Sequence, residues 1–208
     1  FYNKKMNISA LLIARNEQDI IKNCLESLGF ADEIIVILDR SVDDTKLICK
    51  KYTKKVFVGS WNCEGERRNF GIKKCSYDWI FEIDADEIVS KSLQNEILKK
   101  KKLTNFDFFY IKLINYVGDK PLKYGWMGCM APDGKFCMFK KESKKWLKGL
   151  VHPNYQLTGN KGPIFENFII HKMSNNISDL VKRFNRNTTL HSKELKLEDK
   201  RNHVSFRK

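Results

Sequence analysis

Four short apolar runs, each closed by a polar cluster and followed by a helical stripe, constrain this chain more than any other feature. Ile8–Ala14 is stopped by Arg15-Asn16-Glu17, and Glu33–Leu38 by Asp39. Lys55–Val58 is a short third run, and Trp79–Ile83 ends in Asp84-Ala85-Asp86-Glu87. Runs of this length without polar alternation read as strands buried on both faces. Between them, Ile20, Ile21, Cys24, Leu25 and Leu28 form an apolar stripe at helical spacing. Ser41, Asp43 and Asp44 offer N-caps for a second helix reaching Tyr52, and a third covers about Gly65–Cys75. Strand and helix therefore alternate from residue 8 to residue 83. That order predicts an α/β fold: a mostly parallel central sheet with helices on both faces. Ligands of such sheets bind beyond the C-terminal strand ends, so Arg15–Glu17, Asp39 and Asp84–Asp86 are expected to converge.

The pattern changes after a Lys-rich helix at about Ser92–Lys101. Phe106–Val117 reads as an aromatic strand and Gly118–Gly134 as loop. Lys135–Phe139, Lys148–Val151 and Phe168–His171 read as further strands. Ile177, Leu180, Val181, Phe184, Thr188, His191 and Leu195 then mark a long amphipathic helix. The expected division is one domain over 1–172, with a nucleotide-binding half at about 6–90 and an acceptor half at about 103–172. A C-terminal helix over 173–208 packs on it.

The longest apolar stretches fall well short of the roughly 20 residues that cross a bilayer. No signal pattern follows Phe1, and six scattered cysteines without a Cys-x-x-Cys pair read as reduced thiols. A cytoplasmic protein is expected. Lysine and arginine outnumber aspartate and glutamate 39 to 25, a net charge of +14. Such a charge favours polyanions and offers peripheral contact with the inner face of an anionic membrane.

The sharpest chemical feature is Asp84-Ala85-Asp86. Residues i and i+2 of an extended segment point the same way, so both carboxylates face one site. Two close carboxylates need a cation beside them, and the hard ions Mn²⁺ or Mg²⁺ suit oxygen ligands and bridge phosphates. Alone, Asp-x-Asp usually means an N-cap or an exposed loop. At the end of a buried strand, beside two other polar strand ends, it points to a metal. Arg67 and Arg68, on the third helix, could reach phosphate but read better as solvated surface arginines.

Taken together, Ser9–Glu17, Ala31–Val36, Asp39–Thr45 and Asp84–Glu87 resemble the family 2 glycosyltransferases of the GT-A fold. The nearest subgroup is the lipopolysaccharide core glucosyltransferases. The resemblance continues through Asn69-Phe70, Pro132–Phe139, Val151-His152, Ile170-His171, Ser178–Leu180 and Asn185-Arg186. It implies that Ala14, Arg15, Glu17 and Asp39 hold the base and ribose of a nucleotide-sugar, typically of uridine. Asp84 and Ala85 then lie by the ribose and metal, and Asp86 binds the metal. His171 matches a histidine that adds a metal contact, although it reads almost as well as a satisfied histidine at a strand end. Gly125 and Trp126 resemble the loop that shapes the acceptor side.

The resemblance further implies transfer of a sugar to a saccharide or lipid-linked saccharide acceptor with inversion, which requires a general base. Here the chain departs from its relatives. Pro153 replaces the acid that usually follows Val-His, Lys135 replaces a Gln, and Cys137 replaces an Arg. Asp133 and His152 are the remaining candidate bases; each also fits a bland role, as a turn residue and a packing residue. A catalytically impaired nucleotide-sugar-binding protein is therefore an alternative. Nucleotidyl transfer lacks its Gly-rich phosphate loop. A basic nucleic-acid module does not explain three acidic strand ends, since carboxylates repel phosphates.

Overall fold

The computed structural model describes residues 6–100, 105–124, 132–149 and 153–205. Strand and helix alternate through the first half as β1 (Ile8–Ala14), α1 (Ile21–Glu26), β2 (Glu33–Asp39), α2 (Thr45–Lys50), β3 (Val56–Gly59), α3 (Glu64–Lys74) and β4 (Trp79–Asp84). There follow β5 (Glu87–Val89), α4 (Lys91–Lys100), β6 (Phe108–Val117), β7 (Lys120–Pro121), β8 (Gly134–Lys140), β9 (Lys144–Trp146), β10 (Tyr155–Leu157) and β11 (Phe168–Ser174). The last described helix is α5 (Ile177–Ser205).

Eight strands run in the order β3-β2-β1-β4-β8-β6-β11-β5, and β7 hangs on β6. The strands β3, β2, β1 and β4 are all parallel. Beyond β4 the sheet is mixed: β8 is antiparallel to both neighbours, β11 is parallel to β6, and β5 is antiparallel to β11. Alternate residues of each central strand serve opposite faces. Ala10, Leu12, Val36, Leu38 and Phe81 pack with Cys24, Leu25, Cys49, Leu93 and Ile97 from α1, α2 and α4. Leu11, Ile13, Ile35, Ile37 and Ile80 pack with Ile72 and Cys75 of α3, and with Trp146 and Leu157 of the β9–β10 hairpin. Register sets Ala14 against Leu38 and Ile13 against Asp84, so the polar ends of β1, β2 and β4 lie along one edge.

The strand expected at Lys148–Val151 is not where the structure places it. The strand starts four residues earlier, at Lys144, with Trp146 opposite Tyr155. The Leu147 amide donates to the Asn154 carbonyl at 2.8 Å, and the Gly149 carbonyl accepts the Glu64 amide at the start of α3. Residues past Leu147 therefore serve the helix end rather than a ladder; Leu150 and Val151 lie outside the described residues.

That contact makes Gly65 indispensable. A Cβ there would sit 1.9 Å from the Leu147 carbonyl oxygen, a backbone atom that no rotamer change can move. Gly65→Ala is expected to destabilise the protein by about 1–3 kcal/mol, the usual cost of overpacking, as measured by urea unfolding. An unchanged midpoint would show that α3 is not pinned against β9.

Candidate donor-binding site at the strand ends

The loops after β1 and β2 are stitched together by side chains. Asn16 and Arg40 both adopt left-handed backbone, with φ of 54° and 52°, a conformation Asn tolerates better than most residues. The Asn16 side-chain oxygen accepts the Val42 amide at 2.9 Å, and the Asn16 backbone N–H donates to Ser41 Oγ. The Glu17 amide donates to Thr45 Oγ1 at 2.8 Å. Glu17 is thereby held half-buried at the strand edge. Its pKa is raised to about 7, first by burial and then by repulsion from Asp86. Ala14 is buried and Arg15 exposed.

Asp39, buried at the end of β2, is gripped from two sides. Arg40 donates Nε to Oδ1 at 3.0 Å and Nη2 to Oδ2 at 2.9 Å, while Arg67 donates to Oδ2 at 3.0 Å. Arg68 is 8% exposed and lies over the Trp146 ring. It bridges Glu64, Glu82 and Asp84 at 2.6, 2.8 and 3.0 Å. Neither arginine is the solvated surface group expected from sequence. Glu82 explains why for Arg68: a carboxylate inside β4 has to be met by buried cations. Lys144 meets it from the other side at 2.9 Å, and the Trp146 indole donates to it.

Asp84 takes Arg68 on Oδ1, and Lys135 approaches Oδ2 at 3.5 Å. Burial works to raise its pKa, but these two cations hold it below the usual carboxylate range. Lys135 is also paired with the buried Glu87, whose Oε2 accepts the Asp84 amide. Burial raises Glu87, while Glu87 and Asp84 together lift Lys135 against the opposing effect of burial. The basic side chain at position 135 thus serves the acidic strand end. Ala85 is buried between the two aspartates.

The antiparallel pairing of β5 with β11 sets His171 opposite Glu87, and the Lys172 amide donates to the Asp86 carbonyl. His171 Nε2 lies 3.5 Å from Asp86 Oδ2, and its Nδ1 lies 2.7 Å from Asn115 Oδ1. The Asn115 amide nitrogen donates to the Pro132 carbonyl at 2.8 Å. Its oxygen must therefore accept, and Nδ1 must carry a proton. In the neutral ring this turns the Nε2 lone pair toward the Asp86 carboxylate, so the space between two acceptors requires a proton or a cation. A nitrogen and a carboxylate oxygen, oriented by a further amide, fit Mn²⁺ or Mg²⁺. Among the described residues no group of three or more His, Cys, Asp or Glu forms a cage. The ion's remaining ligands would come from phosphate oxygens and water, as is usual for Mg²⁺. Burial raises the Asp86 pKa, but His171 and Arg183 outweigh it and leave the carboxyl lowered.

Asp133 is exposed at the end of β8, and accepts a 2.5 Å hydrogen bond from the Tyr110 hydroxyl. That bond, with burial, pushes the phenol up to about 12, burial being the larger cause. The structure thus gathers Glu17, Asp39, Asp84, Asp86 and His171 at one sheet edge. Gly125, Trp126 and His152 lie outside the described residues. Sequence reading missed Glu82, hidden in an apolar run, and Arg183. The latter comes from α5, 97 residues away, to bind Asp86 at 2.9 Å.

Residues 9–157 match the family described as Glycosyl transferase family 2. An uncharacterized glycosyltransferase of Rickettsia conorii is 38% identical over 91 residues, 43% of this chain and 32% of that protein. The glycosyltransferase SunS of Bacillus phage SPbeta is 31% identical over 149 residues, 70% of this chain and 34% of its own. The chain spans about a third of the length of these curated relatives. The crystal structure of residues 1–349 of S. aureus TarS superposes with a TM-score of 0.58 at 16% identity, over 80% of this chain and 60% of that one. At that identity the likeness is one of fold.

Glu17 gives the site a pH signature. Between its ordinary value of 4.5 and about 7, the native protein holds a proton that the unfolded chain has lost. Its contribution to stability therefore falls as pH rises through that window. Glu17→Gln should be more stable than the parent at pH 8, by on the order of 1–2 kcal/mol after discounting for partial solvent access. The two proteins should match near pH 4. Urea titrations at both pH values check this, and equal stability at pH 8 would contradict the raised pKa.

Proposed function

The chain belongs to the Glycosyl transferase family 2, and from that membership we propose that it binds a UDP-sugar with a divalent cation and transfers the sugar with inversion to a saccharide or lipid-linked saccharide hydroxyl. The observation that carries this reading is the Asp86–His171 pair, whose imidazole tautomer is set by Asn115 so that two acceptors face one position.

In this reading Glu17 and Asp39 receive the base and ribose at the stitched loops after β1 and β2. Asp84 and Ala85 border the ribose. A divalent cation held by Asp86 and His171 would neutralise the diphosphate leaving group. The acceptor hydroxyl attacks the anomeric carbon, the bond from that carbon to the diphosphate oxygen breaks, and the hydroxyl proton passes to a base. Asp133 is the described candidate. It has a carboxylate at the end of β8, aimed by Tyr110, whereas Pro153 is buried and has no proton-accepting side chain. Among the described residues no helix is long and apolar enough to cross a membrane. The +14 charge supports peripheral contact with an anionic surface carrying a lipid-linked acceptor.

A thermal-shift panel of nucleotide-sugars tests the donor. At a hundredfold excess over Kd, a ligand specific for the native state adds about 2.7 kcal/mol, roughly 5–10 °C for a domain of this size. UDP-sugars with Mn²⁺ should give that shift, and Asp86→Ala should lose its Mn²⁺-dependent part. An equal shift without divalent cation would defeat the metal reading.

Asp133→Asn is expected to lower turnover by about 10²–10⁴-fold, the usual contribution of a general base, with UDP affinity unchanged. Wild-type turnover in that variant would move the role to another group. UDP-sugar binding with no transfer to any acceptor would favour a binding protein, the reading that Pro153 supports.

A further inference from the structure

Two of the acidic residues at the site hold arginines in quite different ways. Arg68 is buried and anchored by three carboxylates at once, so it is a fixed part of the sheet end. Arg183 is more lightly held. Its side chain is 35% exposed, and among the described residues it donates to Asp86 Oδ2 at 2.9 Å and to the Met173 carbonyl at 2.6 Å. In α5 Leu180 is buried, while Ile177 and Val181, on the same opening turns, are 73% and 52% exposed. Asn176 caps the helix by accepting the Asp179 amide. Arg183 therefore supplies a polar attachment between α5 and the site.

The oxygen that Arg183 occupies is the same Asp86 Oδ2 that faces His171 Nε2. A guanidinium and a divalent cation cannot both sit against that oxygen without close like-charge repulsion in a half-buried setting. We infer that Arg183 is an exchangeable positioning residue: it neutralises and aims Asp86 before the donor arrives, and it gives way when a divalent cation takes that oxygen. Cation loading then detaches the opening turns of α5 from the site, and by thermodynamic linkage a docked α5 weakens cation binding. This inference rests on the reading of Asp86 and His171 as cation ligands.

Electron paramagnetic resonance titration of Mn²⁺ alone is the first arm. Arg183→Ala should bind Mn²⁺ about fivefold more tightly than the parent or better, because the competing state is removed, with Arg183→Lys in between. A purely structural Arg183 would give weaker or unchanged Mn²⁺ binding in Arg183→Ala, and either result overturns the inference. The second arm needs no donor. Amide hydrogen exchange over residues 177–188 should be faster in Asp86→Ala than in the parent, and faster in the parent with Mn²⁺ and UDP than without. Unchanged exchange in Asp86→Ala would show that Asp86 does not hold α5, whatever the protein binds. Absence of Mn²⁺-dependent UDP binding in the parent would instead defeat the functional reading, while the Asp86→Ala exchange result still decides the attachment.

Discussion

A carboxylate in the middle of a central strand has to be neutralised from within the protein, and Glu82 draws in Arg68, Lys144 and the Trp146 indole to do so. They come from two elements on either side of it: Arg68 from α3, and Lys144 and Trp146 from β9. Removing one partner of a buried pair typically costs about 3–5 kcal/mol, because the other charge is stranded. The geometry of α3, β4 and the β9–β10 hairpin is therefore fixed jointly. Arg68 then extends the cluster outward by holding Asp84, so the buried ion cluster and the outer acidic edge are one network. The Lys144 ammonium also lies over the Trp146 and Tyr155 rings, which adds attraction at the same point.

Further out the network stays acidic although the protein is strongly basic. Glu64, Glu82, Asp84, Asp86 and Glu87 are tied to four basic side chains, Arg68, Lys135, Lys144 and Arg183. At its outer end Asp84 repels Asp86, and Asp86 in turn helps to raise the Glu17 carboxyl. A divalent cation bound with a nucleotide diphosphate would relieve that repulsion. The surrounding +14 charge would favour the approach of the polyanionic donor.

Much of this was legible in the sequence because the signals are local. The near-continuous apolar runs of β1, β2 and β4 announce strands buried on both faces, and the polar residues at their ends mark the edge where ligands bind. The parallel α/β sheet and the grouping of Asp39, Asp84 and Asp86 follow from that, while the GT-A likeness rests on the family motifs. The parts that were not legible depend on partners distant in sequence. Glu82 looks like an interruption of an apolar run until Arg68 and Lys144 are placed beside it. The Lys-Lys-Trp of β9 looks polar because one of its lysines is buried in an ion pair. The short β5 exists through its pairing with β11, which sets His171 opposite Glu87. Arg183 has no local signal at all, since its role arises where α5 crosses the strand edge.

On the proposed function, Asp86 at the β4–β5 turn and His171 on β11 jointly hold the cation that accompanies the nucleotide. Electron spin-echo envelope modulation of Mn²⁺ bound together with UDP reads this directly, because a coordinated imidazole nitrogen modulates the echo. Coordination by this pair predicts modulation from one imidazole in the parent protein and its loss in His171→Gln. A Mn²⁺–UDP complex without nitrogen modulation, or one whose modulation survives in His171→Gln, would contradict it.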